Sequence, residues 1–190
     1  GQERSTHLTN MHLPPKAIPP AQVAPLHRDV LPPIDPREIL VVLFVTTLLS
    51  AAGAVGLGQD SNWDQRNYHY YVAYAFLHDR LEVDIAAAQI QSWFNPLGHL
   101  LHYAAISHLR PLWAGALMGG LAGVPICLVY LLARLTTTGL TLGQSRFAAT
   151  LAAAIAGSGA IFISELGATF VDILGSSFIL GTLAIFVRLP

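Results

Sequence analysis

The sequence predicts an all-α fold: a polytopic membrane helix bundle of about four transmembrane helices, with amphipathic interfacial helices in the first outer loop. Three observations predict it. Of the 190 residues, 53% are hydrophobic and only 11% are charged, against about a quarter charged in soluble domains. Long uncharged runs recur along the chain, and the polar chemistry gathers between the first two of them. A formal net charge of −1 also lacks the basic excess that would neutralise phosphates, so nucleic acid is set aside as a partner and the lipid bilayer takes its place.

Residues 1–38 hold most of the twelve prolines, with "LPPKAIPP" and "LPPIDP" as the densest pieces. Such spacing breaks any helical or alternating period, which predicts an extended cytoplasmic tail, either a solvated leader or a strap along a partner protein. Residues 39–58, "ILVVLFVTTLLSAAGAVGLG", give a first uncharged span, matching the roughly 20 residues that cross about 30 Å of hydrocarbon. The second span is 112–133, "LWAGALMGGLAGVPICLVYLLA", whose small residues suit close helix contact and whose Pro125 is a kink site. Spans three and four are 147–163 and 173–187, separated by "SELGATFVD". Cys127, the only cysteine, lies inside an apolar run and reads as packing.

Within the outer loop, 59–111, the stretch 91–110 is broken by His99, His102 and His108. Leu97, Leu100, Leu101, Ala104, Ala105 and Leu109 recur at three and four, which predicts an amphipathic helix with an apolar face, lying at the interface rather than crossing. With four crossings, Arg4, Lys16, Arg28, Arg37, Arg134, Arg146 and Arg188 share one side and Arg66, Arg80 and Arg110 the other. The positive-inside rule assigns the first group, and the amino terminus, to the cytoplasm. Asp60, Asp64, Asp79, Glu82, Asp84, Glu165 and Asp172 then face outward.

Chemistry concentrates in "DSNWDQRNYHYY", residues 60–71. The pattern from Trp63 to His78 is helical, with Asp64, Tyr68, Tyr71 and Ala75 on one face. Asp64 has two readings: a helix cap, where unpaired amides favour a carboxylate, or a reactive group. Glu165 and Asp172 lie near membrane depth, where an ionisable residue is a functional candidate, and they also suit hydrated residues marking the outer boundary. Asp64 with one of these acids fits a base and its orienting partner, or joint coordination of a divalent cation. His99 and His102 stand at i and i+3, a spacing that can ligate a transition metal, but no HExxH or CxxC accompanies them. The alternative for the histidines and for Tyr68, Tyr70, Tyr71 and Tyr74 is headgroup depth beside Trp93 and Tyr103. No P-loop, GxGxxG, GxSxG or long repeat occurs.

The order of a tail, one span and a long outer loop opening with "DQRNY" resembles the amino-terminal part of the GT-C superfamily of integral-membrane glycosyltransferases. Asp64 and Tyr68 match its "DExxY"-like motif, with Gln65 in place of the second acid. Asn95-Pro96-Leu97 stands where that family has a "PPL"-like turn, and Glu165 or Asp172 where its second outer loop carries an acid. The run from Asn62 to Leu97 also resembles a bacterial group of GT-C-like membrane proteins. The resemblance covers about residues 39–188 and implies a multi-pass protein of the bacterial inner membrane with a polyprenyl-phosphate-linked sugar donor. It further implies catalysis by Asp64 with Asp172 and Glu165, and substrate contacts from Tyr68, His69 and Asn95. The family has many more spans, so the chain reads as an amino-terminal portion. The competing expectation is a non-catalytic accessory subunit that packs in a larger membrane protein complex.

Overall fold

The computed structural model describes residues 34–169 and 171–189; most of the predicted proline-rich tail lies outside the described residues. Among these the chain is helical, with no strand. Helix α1 runs Pro36–Leu57, α2 Tyr70–Leu77, α3 Leu97–His108, α4 Pro111–Thr136, α5 Leu142–Gly157, α6 Ala160–Glu165 and α7 Asp172–Arg188. A π-helical turn, Gln65–His69, leads into α2, and a 3₁₀ turn, Gln89–Trp93, precedes α3.

Each end of α1 follows from its local sequence. Asp35 accepts a hydrogen bond from the Arg37 amide at 2.9 Å, and Pro36 occupies the first turn, where its missing N–H costs nothing. Gly58, at φ 93°, ends the helix. Two helices, α1 and α4, are long and apolar enough to cross a membrane. Their contact depends on small residues, as the second span's composition predicts. At Gly123 of α4 a Cβ would lie 2.6 Å from the Thr46 carbonyl and from the Thr47 Cα, so only glycine admits that approach. Pro125 is buried within α4 without ending it. Cys127 is likewise buried, in keeping with a packing role.

The other two predicted spans differ in outline. The run 147–163 is divided: α5 stops at Gly157 and α6 begins at Ala160, because the "GSG" at 157–159 offers poor helix formers and Gly159 is extended. Helix α5 has 16 residues and α7 has 17, about 24–26 Å at 1.5 Å per residue. Large side chains on α1 and α7 point outward, Phe44 at 67% exposure and Phe178 at 77%, whereas small Ala54 and Ala184 are buried. Small inside and large apolar outside is the arrangement that suits a lipid surround.

Two polar clusters mark opposite ends of α1. Where α1 begins, Glu38 accepts from Tyr130 Oη at 2.8 Å, Arg134 Nε at 2.7 Å and Arg146 Nη2 at 2.7 Å. Arg134, 1% exposed, also donates to Ser145 Oγ. These bonds join α1, α4 and α5 at the end where α1 begins. Beyond the other end of α1, Asp60 Oδ2 accepts from the Thr169 amide at 3.0 Å and from its hydroxyl at 3.2 Å, tying the first outer loop to the second. In the same loop Gly167, at φ 77°, passes so close to α1 that a Cβ would meet Ala54 Cβ at 2.6 Å.

Helix α3 presents two unlike faces. Its histidines are buried, His99 and His102 each 5% exposed, while Leu97 is 69% and Leu101 42% exposed. A lipid surround would account for this, because leucine gains nothing there by turning inward and the polar ring does. At 12 residues, about 18 Å, α3 is also too short to cross.

Candidate functional site

The outer cluster is built around the helical stretch that begins at Trp63. Asn62 accepts the Asp64 amide at 3.0 Å, so Asn62 is the capping residue. Asp64 makes no side-chain capping bond and is half-buried. Of the two sequence readings of Asp64, the cap therefore belongs to its neighbour, and the carboxylate is left for other interactions.

The next turn departs from α-geometry. The Tyr70 amide bonds the Gln65 carbonyl five residues back, which inserts one extra residue and rotates everything that follows. The predicted single face of Asp64, Tyr68, Tyr71 and Ala75 is broken by that insertion. The buried set becomes His69, Val72, Ala73 and Ala75, and Tyr71 instead donates to Asp84 at 3.3 Å, alongside the Arg80–Asp84 ion pair at 2.6 Å. Single π turns of this kind recur at functional sites.

His69 turns inward onto α3, where its Nδ1 lies 3.0 Å from Nδ1 of His99. The sequence pairs His99 with His102; the fold pairs it with His69. Burial, reinforced by the neighbouring His69, pushes His99 down to about 4. Burial also lowers His69, although the charges of Asp64, Asp60 and Asp172 oppose it, and lowers His102, where Asp60 is the opposing charge. Tyr68 stacks at a tilt on His69 with centroids 4.2 Å apart and meets Phe94 edge-on at 5.7 Å. Burial raises the Tyr68 hydroxyl, and so do the charges of Asp64 and Asp172.

The six residues singled out by sequence are thus not equivalent. Asp64, Tyr68, His69 and Asp172 are brought together, the first and last from separate outer segments, both within electrostatic reach of Tyr68 and His69. Asp172 is exposed in the first turn of α7, and the neighbouring Val171 packs against Gly98 of α3. Glu165 faces a small crevice with Met118, Ala122 and Ile173; burial raises its carboxyl, as does the charge of Asp172. Asn95 is exposed and its Oδ1 accepts the Leu97 amide at 3.0 Å, a cap for α3. Among the described residues no group of three or more histidines, cysteines and acids is placed to hold a metal ion.

Asp60 and Thr169, neither of which the sequence singles out, together join the two loops. No local signal links residues 109 positions apart. His102 was detectable, since a histidine in a short apolar helix beside lipid must find a protein-facing side. Comparison with protein-family models, curated proteins and solved structures gives no match for this chain.

Proposed function

We propose that this chain is the amino-terminal part of a GT-C-like glycosyltransferase of the bacterial inner membrane, crossing four times with its amino terminus in the cytoplasm. It would move a sugar from a polyprenyl-phosphate donor to an acceptor hydroxyl on the outer face. The observation that carries this reading is the convergence of Asp64 and Asp172, from separate outer segments, on Tyr68 and His69. The capping bond made by Asn62 adds to it, because Asp64 is then available as a base.

In this mechanism Asp64 takes the proton of the acceptor hydroxyl while that oxygen forms a bond to the anomeric carbon. The bond from the anomeric carbon to the phosphate oxygen breaks, and polyprenyl phosphate leaves with the electron pair. General-base assistance of this kind contributes about 10²–10⁴-fold in rate. Asp172 supplies a second negative charge near Tyr68, a place where a carboxylate pair can orient the acceptor or share a divalent cation.

The test is release of polyprenyl phosphate from a radiolabelled polyprenyl-phosphate hexose by membrane vesicles carrying the full-length gene product. Release above that of vesicles lacking the protein, lost in Asp64→Asn, upholds the reading; equal release with and without the protein removes it. The competing reading, an accessory subunit in a larger membrane complex, draws on the outward apolar side chains of α1 and α7. It expects the purified protein to migrate with a larger assembly rather than as a monomer.

A further inference from the structure

We infer that the groove between α1 and α5 seats an acyl chain of an anionic phospholipid, with its phosphate held by Arg37 and Arg146 in the leaflet where α1 begins. The groove encloses about 480 Å³, between Val41 and Ser50 of α1, Ile126 and Tyr130 of α4, and Thr150 and Gly157 of α5. Val41 to Ser50 covers about 14 Å of helix. That is close to half of the ~30 Å hydrocarbon core, so the groove is one leaflet long.

The walls call for an apolar, flexible occupant. Three of their hydroxyls are already bonded: Thr46 donates to the Leu43 carbonyl at 3.2 Å, Thr150 to the Arg146 carbonyl at 2.9 Å and Tyr130 to Glu38 at 2.8 Å. Val41 and Leu49 are 62% and 66% exposed, so an acyl chain would cover apolar surface that the fold leaves open. The far end of the groove is closed. After the break at Gly157–Gly159, Phe162 and Leu166 stand across it, and Leu166 lies on Gly53 of α1, where a Cβ would come within 2.9 Å of its Cδ2. A flexible chain can end there, whereas a straight partner helix crossing the bilayer would meet α6.

The polar end supplies the charge. Arg37 stands one turn before Val41 on α1, and Arg146 one turn before Thr150 on α5, so each flanking wall carries an arginine just outside the groove. Arg146 is 48% exposed; its Nε and Nη2 engage Glu38 at 3.0 and 2.7 Å, which leaves Nη1 for a phosphate oxygen. With Asp35, Glu38 and buried Arg134 counted, three arginines face two carboxylates here. An anionic headgroup neutralises that excess, as in other basic pockets between membrane helices, and a zwitterionic one does not. This end is opposite Asp64, so a donor whose phosphate reacts beside Asp64 is not the occupant. The inference rests on α1 and α4 crossing a membrane and not on sugar transfer.

The test uses the full-length protein in non-ionic detergent, titrated with phosphatidylglycerol or with phosphatidylcholine and read by native mass spectrometry. At least one phosphatidylglycerol should be retained about tenfold or more tightly than phosphatidylcholine. Ala154→Trp fills the groove from an exposed position and should remove that lipid; Ile155→Trp, exposed on the same helix but outside the groove, should not. Arg37→Gln combined with Arg146→Gln should abolish the preference for the anionic lipid. Equal retention of the two lipids by the unaltered protein, or retention unchanged in Ala154→Trp, overturns the site. So does tighter retention of polyprenyl phosphate than of phosphatidylglycerol, or a dimer that Ala154→Trp dissociates, since these give the groove to the transfer donor or to a second copy. Phosphatidylglycerol retention by a protein that releases no polyprenyl phosphate would uphold this site and remove the transferase reading, so the two fail separately.

Discussion

His69 and His99 face each other through their Nδ1 atoms at 3.0 Å. That geometry holds one proton: one ring donates, the other accepts, and a second proton would set two N–H groups head to head. The pair joins the π-helical turn to α3 and explains why α3 lies with its histidines inward.

The pair makes folding sensitive to acid. His99 titrates at about 4 in the folded protein against an ordinary 6.5, so as pH falls the unfolded chain takes up the proton first. The contribution is present above about pH 6.5, is lost as pH falls towards 4, and amounts to about 3 kcal/mol. Thermal unfolding in nanodiscs across that range should show the decline, and His99→Phe should make it shallower, with buried His69 and His102 supplying the remainder. A melting temperature that rises on acidification, or an unchanged decline in the variant, would count against the pairing.

The Asp60–Thr169 contact should be measurable as coupling between the loops. Asp60→Ala leaves the Thr169 amide and hydroxyl, 1% exposed, without their acceptor, at a cost of about 1–3 kcal/mol. Hydrogen exchange at the Thr169 amide should accelerate accordingly. Asp60→Asn keeps one acceptor oxygen and should lose less.

At the opposite end, Glu38→Ala strands Arg134, which is 1% exposed. Loss of one partner from a buried pair costs about 3–5 kcal/mol. Arg146, 48% exposed, is the contrast: Arg146→Ala should cost under about 1 kcal/mol. Equal effects of the two variants on unfolding would show that burial does not govern this network.

The proposed orientation is tested with introduced cysteines, since Cys127 is buried. In intact spheroplasts a membrane-impermeant maleimide should label Ser61→Cys, on the exposed outer segment, and spare Thr138→Cys, on the exposed turn between α4 and α5. The reverse pattern would place the Asp64 cluster in the cytoplasm.

Much of the architecture was legible because it rests on runs of apolar residues. The bounds of α1 and α4 follow from "ILVVLFVTTLLSAAGAVGLG" and "LWAGALMGGLAGVPICLVYLLA", and the close approach at Gly123 from the small residues there. The break at Gly157–Gly159 was written in "GSG" but was overridden by the apolar residues on both sides. Site details were harder to read. The π turn shifts the face after Gln65 by one residue, which no 3.6-residue period reveals, and the His69–His99 and Asp60–Thr169 contacts join residues that only the folded chain brings together.

The role of Asp64 is tested most directly by comparing Asp64→Asn with Asn62→Ala in polyprenyl-phosphate release. If Asp64 is the base and Asn62 the cap, Asp64→Asn should slow release about 10²-fold or more with unfolding temperature unchanged. Asn62→Ala should instead lower stability by about 1 kcal/mol and leave the rate per folded molecule intact. Wild-type release by Asp64→Asn would contradict the account.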